Sequence, residues 1–340
     1  MVEVLNITKK YGQHLAVSNA SFTVNKGEIV GLLGPNGAGK TTTMNIITGC
    51  LSANEGTVKI GGFDMLDKPI EAKRLLGYLP EIPPVYTDLT VLEYLNFVYG
   101  LKKCKLDRAA HIKEITDKVR LTPMMNRLIG NLSKGYRQRV GIAQALIGSP
   151  PVIILDEPTA GLDPKEIVEI RNFIKDLGKT KTVIISSHIL PEIQVMCERI
   201  IVINQGKIVA DSTTEEITKE ATKNLKMSVR VVGRRDEIAR VLKSIPGVRN
   251  VFEEPALESE AYDFTVESDE NIDVRKPLVK TLADKNMSLL MLKPLELSLE
   301  EAFIRLVDNS DDKNTKNVKK KNKLSNSERI KKVHSKGEKQ

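Results

Sequence analysis

Gly34–Thr42 reads GPNGAGKTT and stands directly after GEIVGLL, Gly27–Leu33, an apolar run with the length and branching of a buried strand. Gly34, Gly39, Lys40 and Thr41 satisfy the spacing G-x-x-x-x-G-K-[ST]. In that pattern backbone N–H groups wrap a phosphate chain, the lysine neutralises it, and the hydroxyl reaches a magnesium ion. The cradle is accordingly assigned to Gly34, Pro35, Asn36, Gly37, Ala38 and Gly39, closed by Lys40, Thr41 and Thr42. A helix from about Lys40 through Thr48 would aim its positive end at the same anion. An ordinary strand-turn-helix corner explains the glycines and the asparagine, but it has no use for the lysine and threonine. A bound nucleotide is therefore expected, while the reaction it drives stays open at this point.

Outside this stretch, composition narrows the field. A chain of 340 residues has room for two domains. It shows no leader of the basic, apolar and small-residue kind, and no apolar run approaching the ~18 residues of a membrane helix. A soluble, cytosolic chain is expected. Cys50, Cys104 and Cys197 lie far apart without metal-like spacing and are expected to be reduced, buried thiols. The formal charge is +8, yet Ser310–Gln340 alone holds 11 Lys and Arg against 4 Asp and Glu, so the rest carries about +1. A nucleic-acid-binding face on the folded part is thereby disfavoured. The tail, KNTKNVKKKNKLSNSERIKKVHSKGEKQ, has almost no apolar residues and is expected to be disordered. It either merely solvates the chain or makes a weak contact with anionic lipid or RNA.

A second motif points to the reaction. PPVIILDEPTAGLD, Pro150–Asp163, places Val152–Leu155 directly before two acids. A buried strand ending in this way delivers both carboxylates to a sheet edge, where Asp156 can hold magnesium and Glu157 can polarise water for phosphoryl transfer. Between the two motifs, NLSKGYRQRVGIAQAL offers Ser133 as a helix N-cap, followed by apolar residues at helical spacing.

The run Leu132–Tyr136, LSKGY, resembles the signature sequence of the ATP-binding-cassette proteins and stands in the family's order between phosphate loop and Asp156. Other positions match that family one by one. Tyr11 falls where an aromatic residue stacks on adenine. Asp163, closing AGLD, falls in the loop that contacts a facing subunit, though with Pro164 behind it a helix N-cap is an equal reading. His188, in VIISSHIL, resembles the histidine that contacts the terminal phosphate. Two positions depart from the pattern. The usual LSGGQ has Lys134 and Tyr136 here, with Ser133 and Gly135 retained, and YLPEIPP has Glu81 where a glutamine is usual. A carboxylate at position 81 still serves as a metal ligand, at the expense of added negative charge beside the phosphates.

The resemblance implies an α/β fold: a P-loop NTPase cassette with a RecA-like core, an antiparallel β subdomain and a helical subdomain. It also implies a head-to-tail pair of cassettes with ATP and Mg2+ between the phosphate loop of one and Ser133 and Gly135 of the other. Thr90–Leu101 and Arg108–Val119 read as helices of the helical subdomain, where a polytopic membrane permease would dock. Leu92, Tyr94 and Phe97 are candidate contacts there, although core packing is the better reading for most of them. After about Glu220 the pattern becomes strand, helix, strand, strand, helix, strand, the order of a small α+β ferredoxin-like domain. The expected partition is 1–220 cassette, 221–308 accessory domain and 309–340 tail. LSLEEAFIRLV, within that accessory part, reads as an amphipathic helix and resembles the closing segment of cassettes serving drug, lipid and polysaccharide exporters and gliding-motility systems. An exporter ATPase on the cytoplasmic face of a membrane is the expectation. An importer ATPase is the alternative, followed by a soluble cassette acting on ribosomes or nucleic acid.

Overall fold

The computed structural model describes residues 1–213, 216, 226–255, 261–269 and 272–295. The LSLEEAFIRLV segment and the basic tail lie outside the described residues. The chain divides into two compact units, Met1–Thr214 and Glu215–Gln340.

The first unit opens with β1 (Val2–Tyr11) and β2 (His14–Val24), then β3 (Ile29–Leu33) and α1 (Lys40–Ile47). There follow β4 (Glu55–Ile60), β5 (Phe63–Asp64), α2 (Pro69–Arg74), β6 (Leu76–Leu79), α3 (Val91–Leu101), α4 (Arg108–Lys118) and α5 (Lys134–Leu146). It closes with β7 (Val152–Asp156), α6 (Pro164–Gly178), β8 (Thr182–Ser187), α7 (Leu190–Met196), β9 (Arg199–Asn204) and β10 (Lys207–Thr213). Two sheets result: an antiparallel one ordered β2-β1-β4-β5 and a six-stranded one ordered β10-β9-β3-β8-β7-β6. In the second, β3 pairs in parallel with β8 and β9, and β7 pairs in parallel with β6 and β8. Only β10 runs antiparallel to its neighbour.

Strands with both faces covered need continuous apolar runs, and Val152, Ile153, Ile154 and Leu155 of β7 are all buried. At about 1.5–3 kcal/mol per large side chain, that run fixes the strand whose last residue is an acid. Register does the rest, because Leu33 stands opposite Ser187 and Asp156 opposite Ser186. The ends of β3, β7 and β8 therefore meet at one sheet edge, the place where parallel α/β sheets bind ligands.

Helix ends follow local signals. Thr90 and Glu93 form a reciprocal capping box on α3, and Asp107 caps α4. The helix after the phosphate loop stops at Ile47 rather than Thr48, because Gly49 turns left-handed at φ 67° and its N–H bonds back to the Ile46 carbonyl. One expectation fails: Cys197 is buried, but Cys50, thrown outward past the α1 turn, is exposed and Cys104 is half-buried. Tyr94 packs in the core at 3% exposure, whereas Leu92 and Phe97 on the same helix stay at 38% and 46%. Among the described residues, no helix is long and apolar enough to cross a membrane.

The second unit contains β11 (Lys226–Val232), α8 (Arg235–Lys243), β12 (Val248–Glu253), β13 (Ala261–Ser268), α9 (Arg275–Asp284) and β14 (Ser288–Leu295). Its four strands form an antiparallel sheet ordered β12-β13-β11-β14. Met227, Val229 and Val231 alternate onto the face covered by Ile238 and Leu242 of α8 and by Leu278 and Leu282 of α9. On β11 and β13 the Arg230 guanidinium grips Asp263 with two bonds of 2.6 and 2.9 Å.

Candidate functional site

The loop between β3 and α1 owes its shape to glycine. Gly37 and Gly39 adopt φ of 79° and 108°, a region that side chains disfavour. A Cβ on Gly39 would strike the Ala16 carbonyl, and one on Gly34 the carbonyl of Ile203. The loop is held from outside by Gly206, whose N–H donates to the Ala38 carbonyl at 2.9 Å. Such a loop turns its N–H groups inward, next to the start of α1.

Lys40 is buried to 6% exposure, and its ammonium donates to the carbonyls of Gly34 (2.8 Å) and Pro35 (3.3 Å). It also lies 3.6 Å from Glu157 Oε1, so the positive end of the cradle is tied to the acid after β7. Glu157 itself takes φ 47°, a left-handed conformation costing a non-glycine residue about 1–2 kcal/mol. Ser186 holds it there, accepting the Glu157 N–H at its Oγ (2.9 Å) and its carbonyl (3.3 Å). The other carboxylate oxygen meets His188 Nδ1 at 2.9 Å. An ionised carboxylate can only accept, so Nδ1–H donates and fixes the ring's orientation.

Asp156 is fully buried. The Ser186 hydroxyl donates to its Oδ1, while Oδ2 has no protein partner. Burial pushes its carboxyl above the ordinary range, the Ser186 and Thr41 hydroxyls pull it down, and the charges of Glu157 and Glu81 push it up again. A buried carboxylate oxygen without a donor is costly unless a cation or its water shell arrives. Thr41, Asp156 and Glu81 thus form an oxygen donor set that suits a hard cation such as magnesium.

Beside them opens a cleft of about 460 Å³ lined by Tyr11, Asn36, Gly37, Gly39, Lys40, Thr41, Thr42, Glu81, Glu157 and His188, together with His14, Ala16 and Ala160, while Gly34, Pro35, Ala38 and the buried Asp156 stand behind its lining. That volume suits a nucleotide-sized ligand. Tyr11 ends β1 half exposed at its rim, with the Lys9 ammonium 5.6 Å from the ring centre. Ser133, Gly135 and Asp163 do not line this cleft. Ser133 caps α5, accepting the Tyr136 N–H at 3.3 Å, and Asp163 caps α6, accepting the Glu166 N–H at 2.8 Å. Gln138 of α5 donates to the Pro158 carbonyl at 3.1 Å, so the signature helix is bonded to the turn after Glu157.

The sequence motifs do not extend to Ser186, His14 or Gln138. The serine pair that ends the apolar run VIISS was the one available hint for Ser186, since polar residues closing a buried strand need partners.

The ABC transporter family model matches residues 17–160. The linearmycin resistance ATP-binding protein LnrL of Bacillus subtilis is 31% identical over 310 residues, covering 90% of this chain and 98% of that protein. The bacitracin transport ATP-binding protein BcrA of Bacillus licheniformis is 31% identical over 315 residues, covering 90% of this chain and 97% of its own. Among solved structures, the dimeric bacterial ABC transporter cassette MJ0796 superposes with a TM-score of 0.58 at 29% identity, over 63% of this chain and 98% of its own. The same cassette is known in a dimeric post-hydrolysis state bound to ADP and Pi.

Proposed function

Because this chain belongs to the ATP-binding-cassette family of transporter ATPases, we propose that it hydrolyses ATP in the cleft at the sheet edge to drive separate membrane subunits of an exporter. One observation carries the chemistry: Lys40, Thr41, Glu157 and His188 line a single cleft at three strand ends, with the buried Asp156 carboxylate next to Thr41 and Glu157.

In this reading the loop from Gly34 to Gly39 cradles the phosphates through its backbone N–H groups, Pro35 having none to give, and Thr42 at the start of α1 adds to the cradle. Lys40 leaves the Gly34 and Pro35 carbonyls, and its partnership with Glu157, for the terminal phosphates. Glu157, freed of that ion pair, takes a proton from the attacking water, and His188 keeps its carboxylate aimed and touches the phosphate. Magnesium, when bound at Thr41, Asp156 and Glu81, would supply charge neutralisation to the phosphate oxygens. Tyr11 stacks on the adenine from the rim.

Ser133, Gly135 and Asp163 act on the nucleotide of a second cassette placed head to tail, so ATP joins two copies and hydrolysis separates them. The accompanying permease docks near Ile82, Tyr86 and Phe97, which are 82%, 53% and 46% exposed, with the Tyr86 and Phe97 rings 5.5 Å apart. The protein would then sit peripherally on the cytoplasmic membrane face, with its cassette at 1–220, an accessory domain at 221–308 and a tail at 309–340 that makes weak contact with anionic lipid. Lipid binding unchanged by removal of the tail would dismiss the last point.

Gentle membrane extraction with this chain as bait is the test. A polytopic membrane protein retained through a high-salt wash is expected. Ribosomal proteins or nucleic acid in its place would favour a soluble cassette, and loss of uptake of one nutrient in a deletion strain would replace export by import.

A further inference from the structure

Lys134 is the departure from LSGGQ whose chemistry the cleft leaves unused. It is exposed in the first turn of α5, directly after the capping Ser133. A cation there stands at the positive end of a helix, where an anion is favoured, so helix stability gives no reason for it. Its ammonium rests against the AGLD turn: a Cβ on Gly161, at φ 68°, would meet Nζ. The reverse contact comes from Glu166 in the first turn of α6, whose carboxylate would meet a Cβ on Gly135. Two opposite charges thus cross between the signature and the AGLD turn in opposite directions. Among the described residues, neither forms an ion pair.

We propose that Lys134 is an additional contact to the triphosphate held by the opposing cassette, and that the Glu166 carboxylate occupies the neighbourhood of Gly135 until that phosphate arrives. The inference rests on the head-to-tail pair of the preceding section. If Ser133 and Gly135 face the partner's terminal phosphate, Lys134 between them brings a cation on a long flexible stem to the same anion. Glu166 opposes the phosphate through like charge and must yield as the pair closes. Lys134 is therefore a specificity-determining residue for pair formation, and Glu166 a positioning residue of opposite sign.

The test is ATP titration of pair formation, followed by analytical ultracentrifugation, in a Glu157→Gln parent that holds ATP. Lys134→Gln is expected to raise the ATP concentration for half-maximal pairing about fivefold, as loss of an exposed charge contact would. Lys134→Arg is expected to stay close to the parent, and Glu166→Gln to lower the required concentration. Both shifts should shrink between about 50 mM and 500 mM salt. Unchanged pairing in Lys134→Gln, or equal weakening by Lys134→Gln and Glu166→Gln, would overturn the inference while leaving the pair intact. A Glu157→Gln parent that never pairs with ATP would overturn the head-to-tail reading itself, and this inference with it.

Discussion

The sheet edge and the N-terminus of α5 are built from similar materials and end up in different positions. At the edge, β3, β7 and β8 bring a cation, an acid and a histidine into one cleft, with Glu157 tied to both Lys40 and His188. At α5, Ser133 and Gly135 form a capped helix start outside that cleft. One half of the machinery is closed on itself, and the other half has no ligand within its own chain to act on. The difference is what the proposed head-to-tail pair would require: a phosphate cradle in one copy, and a separate surface on the other to complete it.

The sharpest way to break this contrast is at Lys40. Lys40→Ala removes the charge that the cradle surrounds and is expected to weaken ATP binding by about 2–3 kcal/mol, some 30- to 150-fold, in a fluorescent-nucleotide titration. Ser133→Ala should separate the two halves: ATP binding by the single chain stays near wild type, while steady-state turnover falls about tenfold through loss of one charge-assisted contact in the pair. Equal loss of both would place Ser133 in its own chain's cleft.

The accessory unit offers a contrast of another kind, since its charges are structural. Arg230→Ala strands the buried Asp263 carboxylate, and is expected to cost about 3 kcal/mol of that unit's stability in urea unfolding without lowering ATP affinity in the cassette. The smallest effect on stability is a pH dependence. Burial raises the Asp156 carboxyl above its unfolded value, so its ionised form at neutral pH disfavours the folded state. That penalty is absent below the unfolded value near 3.8 and grows as pH rises through the folded one. Asp156→Asn should therefore raise the melting temperature of metal-free protein at pH 7 and leave it unchanged near pH 3, while abolishing turnover. A lowered melting temperature at pH 7 would mean that the Ser186 bond, and not desolvation, dominates at that carboxylate.

Much of the cassette was legible because its signals are local. Glycines at 37 and 39 fit a left-handed loop, VIILD reads as a buried strand ending in an acid, and Ser133 and Asp163 precede helices as caps. What stayed hidden depends on pairing across distance in sequence. Ser186 supports Asp156 and Glu157 only because β7 and β8 lie side by side in one register. Gln138 reaches Pro158 only because α5 packs beside the turn after β7. The exposure of Cys50 turned on the direction of one turn after Gly49, which composition does not encode.

The central claim is that Glu157 activates water in a cleft that binds ATP without it. Single-turnover hydrolysis by Glu157→Gln, with ATP binding measured on the same sample, tests it most directly. The expected result is a rate lowered at least ~100-fold, the usual contribution of a general base, with ATP still bound and the protein accumulating as a pair. Hydrolysis at the wild-type rate with ATP bound would contradict the account and take Glu157 out of the chemistry.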